Sequence, residues 1–191
     1  MTVETVSGLD LTDRPKSLTA MVAERLRSSI IDGTIPLGSL LSEKVLAEGY
    51  GVSKTPVREA LVQLQSLGLV EILPQRGGRV FTPTIDQVRE ICEIRLHLES
   101  FAFRLSMERD RTRLEALMAA IIQDMEDAFD IANPIHYQTL DASFHNAFFT
   151  YCGNSLLRAS YDMFNARISA LRTHLSTPHP YMLQRSLEEH R

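Results

Sequence analysis

The segment Tyr50-Gly-Val-Ser-Lys-Thr-Pro-Val-Arg-Glu-Ala-Leu-Val-Gln-Leu-Gln-Ser-Leu-Gly-Leu-Val70 narrows the folds open to this chain more than any other. It reads as a tight turn, a capped helix and the first strand of a β-hairpin. Thr55 suits the N-cap, and Pro56 suits the first helical position because its missing N–H would be unpaired there. Val57, Ala60, Leu61 and Leu64 recur at helical spacing and give the helix one apolar face. Arg58 lies off that stripe, so Ser53, Lys54, Thr55 and Arg58 gather at the exposed N-terminal end. In a helix-turn-helix, that end of the second helix meets base edges and phosphates.

The flanking sequence completes the unit. Leu18, Val22, Leu26, Ile30 and Ile31 predict a first amphipathic helix, with Ser17 or Thr19 near its start and Gly33 at its end. Asp32-Gly-Thr-Ile-Pro-Leu-Gly38 is a loop. Ser42 caps a second helix over 43–48 with Val45, Leu46 and Ala47 inward, closed by Gly49 and Gly51. The third helix ends at Gly68. Residues 69–73 and 79–82 read as strands, joined by the turn Pro74-Gln-Arg-Gly-Gly78. Three helices and a hairpin predict a winged helix-turn-helix over 17–83, behind a polar, aperiodic arm over 1–16. Beyond Pro83 the strand-like pattern stops. Helices are expected over 85–109, 112–131, 135–151 and 155–175 and from 179 onward, broken at Asn133-Pro134, Gly153-Asn154 and Pro178–Pro180. Residues 84–191 therefore read as an all-α antiparallel bundle, and the fold class is mainly α.

Composition adds limits. A hydrophobic fraction of 44% and a charged fraction of 23% are ordinary for a soluble protein. No apolar run approaches the roughly 18 residues of a membrane helix, and residues 1–16 lack the apolar core of a signal peptide. Cys92 and Cys152 stand far apart with no CxxC, so reduced thiols in a cytoplasmic chain are expected. The net charge of −4 argues at first against a nucleic-acid partner. Residues 1–83 are balanced, with nine basic and nine acidic residues, and the whole excess lies in residues 84–191. Over 44–79, Lys44, Lys54, Arg58, Arg76 and Arg79 outnumber Glu48, Glu59 and Glu71. This local balance governs phosphate contact, because salt screens charges beyond about 8–10 Å.

Residues 18–82 resemble the N-terminal winged helix of GntR-type bacterial regulators. The run Gly51-Val-Ser-Lys-Thr-Pro-Val-Arg-Glu-Ala-Leu61 carries most of the likeness, joined by Leu41-Ser-Glu43, Leu46-Ala47, Gly68-Leu-Val70 and Arg76-Gly-Gly-Arg-Val80. Lys54 stands where an arginine is usual and Leu37 where proline is common. Lys54 keeps the charge and loses bidentate guanine recognition. The resemblance implies DNA contacts from Lys44, Ser53, Lys54, Thr55 and Arg58, with Arg76, Gly77 and Gly78 in the wing. A glycine tip would let backbone approach a groove.

The second half is similar to the helical ligand-binding domain of the fatty-acid-regulator subgroup, FCD, through Arg95-x-x-Leu-Glu99, Asp141-x-x-Phe-His145, Gly153-Asn-x-Leu156 and Glu189-His190. That likeness implies a divalent metal, zinc, nickel or similar, held by Asp141, His145 and His190. It also implies a small organic acid as effector. A further histidine ligand is expected beyond Arg191, so the bundle is expected to be C-terminally incomplete. Asp141 and His145, four apart, leave one helix face, and carboxylate plus imidazole is a normal first-row metal pair. His97 beside Arg95 and Glu99, His136 at the start of a helix, and His174 and His179 flanking a proline loop all have ordinary readings. Arg95 and Glu99 form either an intrahelical ion pair or a fork in which Arg95 takes an effector carboxylate. Arg167 and Arg172 face cavity or solvent; the spacing leaves this open.

The expected function is a homodimeric, DNA-binding transcriptional regulator, a repressor, with operator affinity set by a small carboxylate. A metal-dependent enzyme is a second reading, but no general base or nucleophile constellation accompanies Asp141 and His145. A third is an interaction module that binds no DNA, which the Lys54 and Arg58 cluster opposes.

Overall fold

A computed structural model of the chain describes residues 16–176 and 180–191. Helix α1, Leu18–Ile31, starts at Ser17, whose hydroxyl accepts from the Ala20 amide at 3.1 Å, and buries Val22, Ala23, Leu26 and Ile30. Strand β1 is Leu40–Leu41. Helix α2, Glu43–Tyr50, is capped by Ser42 and ends at Gly51, whose φ of 66° lies in the left-handed region that glycine adopts freely. Gly49 lies inside α2 and does not close it. Helix α3, Lys54–Ser66, turns Val57, Ala60, Leu61 and Leu64 inward, each no more than 1% exposed. Strands β2, Val70–Leu73, and β3, Gly77–Val80, form the wing. The sheet is antiparallel in the order β1-β3-β2, with Leu40 opposite Arg79 and Val70 opposite Val80.

Two local readings are corrected here. The N-cap of α3 is Ser53, not Thr55, so Pro56 falls at the third helical position. It is tolerated because the first four N–H groups of a helix have no intrahelical partner. The strand β1 has no counterpart in the sequence pattern. Two residues are too few to show alternation, and β1 exists by pairing with β3.

Helix α4, Ile85–Asp130, is 46 residues long. It opens with a reciprocal capping box between Thr84 and Gln87. The sequence suggested separate helices over 85–109 and 112–131. The structure carries the helix through, with a kink at Asp110 (φ −155°, ψ 61°). The Asp110 carboxylate accepts from the Arg113 amide at 3.4 Å, as a cap would, and restarts the helix without a loop. Helix α5, Pro134–Thr150, is capped by Asn133. Helix α6 is Ser155–Ser176, with the Asn154 side chain accepting from the Leu157 amide at 3.0 Å. Helix α7 is Pro180–His190.

Among the described residues, three apolar cores result. One fills the bundle between α4, α5 and α7, around Leu114, Met125, Tyr137, Phe144, Leu183 and Leu187. A second joins α4, α5 and α6 through Ile91, Ala102, Phe149, Tyr161, Ile168 and Leu171. The third is the winged-helix core, and it includes Ala166 and Ala170 of α6 among Leu26, Ile30, Leu61 and Leu69. Helix α6 thus belongs to two cores. Its small alanines allow a close approach to the winged helix.

Candidate nucleic-acid interface and metal centre

Burial of one side of α3 leaves the opposite side at its N-terminal end in solvent. Ser53, Lys54, Thr55 and Arg58 are all exposed there. The Ser53 side chain makes no capping bond. Lys44, on α2, is exposed and stands 3.9 Å from Glu48. Arg58 forks onto Glu43 of α2, Nε at 3.0 Å and Nη2 at 2.8 Å. That hydrogen bond outweighs the opposing effect of burial and, with the guanidinium charge, holds the Glu43 carboxyl below its ordinary range. Glu59, the nearer acid in sequence, instead accepts from Thr19 of α1 at 2.7 Å. Arg58 is therefore oriented by the preceding helix.

The wing departs from the sequence reading. Arg76 is exposed beside Gln75, whose φ of 61° marks the turn. Gly77 and Gly78, expected at the tip, are buried in β3. A Cβ on Gly77 would sit 2.2 Å from the Leu41 carbonyl oxygen, and one on Gly78 would sit 2.6 Å from Val70 Cγ1. Both glycines allow β1 and β2 to pack closely against β3, where a side chain would collide. Arg79, between buried neighbours, is exposed by strand alternation.

In the bundle, Asp141 and His145 of α5 meet His190 of α7, with candidate ligand atoms all within 4.8 Å of one another. The side chains are 6%, 12% and 11% exposed, so water competes little for them. Burial alone would raise the Asp141 carboxyl, but Arg172 and then the imidazoles of His190 and His145 outweigh it and hold the carboxyl well below the usual range. Burial lowers His145 despite its contact with Glu99, which favours the neutral imidazole that metals bind. Glu99 Oε2 lies 2.9 Å from His145 Nδ1, and Arg95 Nη2 lies 2.8 Å from His145 Nε2. A proton on Nδ1 satisfies both contacts: His145 donates to Glu99 and accepts from Arg95. A carboxylate behind a ligating histidine is the usual orienting partner at metal sites.

The donor set fits a divalent metal of the zinc or nickel type. His190 Nε2 is buried and 3.0 Å from Asp141 Oδ1, yet no hydrogen bond of acceptable alignment engages it. His97 and His136 are exposed and outside the cluster, and His174 faces the Ile30 carbonyl oxygen at 3.1 Å. His179 lies outside the described residues.

For Arg95 the structure shows the intrahelical ion pair, together with a contact to His145. Its Nε bonds Glu99 at 2.9 Å along α4 while Nη2 reaches into the cluster. Burial would raise the Glu99 carboxyl, but His145 and Arg95 pull it down to about 2. Tyr161 also donates to Glu99, at 3.1 Å. Sequence reasoning left Arg172 open and missed Tyr161 and Ser186. Arg172 Nε bonds Asp141 Oδ2 at 2.7 Å, and the Ser186 hydroxyl donates to Asp141 Oδ1 at 3.1 Å. Arg172 is 9% exposed. Its spacing from Ile168 and Leu171 was the available signal, since all three share an inward stretch of α6.

A winged helix-turn-helix followed by a helical bundle with an inward carboxylate–imidazole cluster defines the class. Residues 18–80 match the family of bacterial regulatory proteins, gntR family, and residues 90–191 match the FCD domain. The chain belongs to the GntR family, in its FCD group. The gluconate operon transcriptional repressor of Bacillus subtilis (strain 168) is 33% identical over 124 residues, 65% of this chain and 51% of the relative. The uncharacterized HTH-type transcriptional regulator YdhC of the same strain is 27% identical over 180 residues, 94% of this chain and 80% of that protein. The structure of E. coli McbR/YncC superposes with a TM-score of 0.77 at 26% identity, covering 91% of this chain and 82% of that one. The chain spans 51–60% of the length of the first curated relatives it matches. These families and relatives are transcriptional regulators, not enzymes, which sets aside the metal-dependent enzyme. Among the described residues, no helix is long and apolar enough to cross a membrane.

Proposed function

We propose that the protein is a cytoplasmic, homodimeric repressor that binds operator DNA through α3 and the wing. Residues 17–83 are read as the DNA-binding unit and residues 84–191 as the effector-binding and dimerisation unit. Of the proposed arm over 1–16, residues 1–15 lie outside the described residues. The observation that carries the reading is the end of α3, where Ser53, Lys54, Thr55 and Arg58 are exposed while the opposite face is locked in the core. Hydroxyls and first-turn amides suit phosphates, and Arg58 suits the paired acceptors of guanine. Lys44 and Arg76 add charge at the flanks. In a dimer, two such helices enter successive major grooves about 34 Å apart. The gluconate operon relative, named a repressor, supports the direction of control.

Asp141, His145 and His190 are read as ligands of a divalent metal, and Arg95 as the group that takes the carboxylate of a small organic acid. The burial of the cluster and the reach of Arg95 Nη2 to His145 Nε2 at its edge support this. The ion would supply a fixed positive charge beside that carboxylate. The test is a gel-shift titration of DNA from upstream of the coding sequence, with wild type and Arg58→Ala. Loss of a bidentate base contact weakens binding by about 1–3 kcal/mol, roughly 5- to 150-fold. Unchanged affinity in a folded variant overturns the recognition-helix assignment.

A further inference from the structure

Asp141 already holds a cation. The Arg172 guanidinium meets Oδ2 at 2.7 Å, with both side chains more than nine-tenths buried. Oδ1 takes the Ser186 hydroxyl and faces His190. Arg172 Nη2, however, is buried with no hydrogen-bond partner. A guanidinium placed only to neutralise Asp141 would be expected to use both nitrogens of its fork on the two carboxylate oxygens. Here one nitrogen is used and the other is left over. Charge balance in the cluster is also complete without an ion: Arg95 faces Glu99 and Arg172 faces Asp141. A divalent ion at Asp141, His145 and His190 would bring two cations onto one buried carboxylate.

Arg172 has somewhere to go. It lines, with Arg95, a cavity of 190 Å³ between α4, α6 and α7, whose other walls include Val88, Ile91, Leu171 and Met182. A guanidinium leaving Asp141 toward this cavity would stand beside that of Arg95 among apolar side chains. That arrangement suits the carboxylate of a small acid with an apolar tail.

Resting on the metal reading above, we infer that Arg172 is an internal competitor of the metal for Asp141. The carboxylate alternates between guanidinium and ion, and occupation by the ion frees Arg172 as a second arm for the effector carboxylate. Arg172 is thus a positioning residue for both ligands, and it lowers apparent metal affinity by the fraction of time it holds Asp141.

The experiment is calorimetric titration of zinc alone into the metal-stripped full chain, for wild type, Arg172→Met, Arg172→Lys and His190→Ala. Arg172→Met should bind zinc about tenfold tighter or more than wild type, with Arg172→Lys between them. Equal or weaker binding by folded Arg172→Met overturns the competition. Zinc binding by neither chain, or full binding by His190→Ala, overturns the metal site itself. A second measurement covers a variant that does not fold. The wild-type Arg172 Nε–H resonance, assigned by its absence in Arg172→Lys, should shift on saturation with zinc. A resonance that zinc leaves unmoved overturns the proposal.

Discussion

Glu99 is a carboxylate whose ionised form the fold strongly prefers. Its folded pKa near 2 lies below the ordinary 4.5, so the unfolded chain takes up the proton first as pH falls. The stability it contributes is present above about pH 4.5 and is lost toward pH 2. His145 acts in the same direction, because its buried ring resists the proton that the unfolded ring accepts. Urea unfolding at a series of pH values should therefore show stability falling on the acid side, and Glu99→Gln should flatten the lower part of that fall. Residues of this kind were unevenly legible in the sequence. Asp141 and His145 could be read because four-residue spacing fixes a shared helix face. Arg172 could not, because its partner depends on how α6 docks. The packing at Gly77 and Gly78 was not legible, since sequence shows a missing side chain without showing what fills the space.

At the scale of elements, periodicity carried most of the architecture. The stripe Val57, Ala60, Leu61, Leu64 became the buried face of α3, and Leu64→Ala should cost about 2–5 kcal/mol in chemical unfolding. Gly77→Ala should also destabilise the winged helix, by about 1–3 kcal/mol or more, because φ there is 89° and the new Cβ would meet backbone. Circular dichroism melts of these variants check both. The break expected after residue 109 survives only as the kink at Asp110. Polar residues with capping side chains look alike whether a chain turns away or merely bends. What decides is tertiary contact, here Arg109 reaching the Cys152 carbonyl at the end of α5.

Across the whole molecule, α6 carries Arg172 at the carboxylate–imidazole cluster, Ala166 and Ala170 in the winged-helix core, and His174 against the last turn of α1. A shift of α6 by a ligand would be felt at α1, and coupling of about 1–3 kcal/mol changes affinity some 5–150-fold. His174→Ala should leave basal operator affinity near wild type while reducing the change that zinc produces, as read by gel shift with and without the ion. An unaltered zinc response would exclude this route. The shared helix also bears on heredity. A graft of residues 17–83 onto a foreign bundle would arrive with an uncovered apolar patch where Ala166 and Ala170 now sit. Exchange of helical bundles between chains of this design has to transplant a contact surface along with a junction, and recombination at Pro83 alone would not suffice.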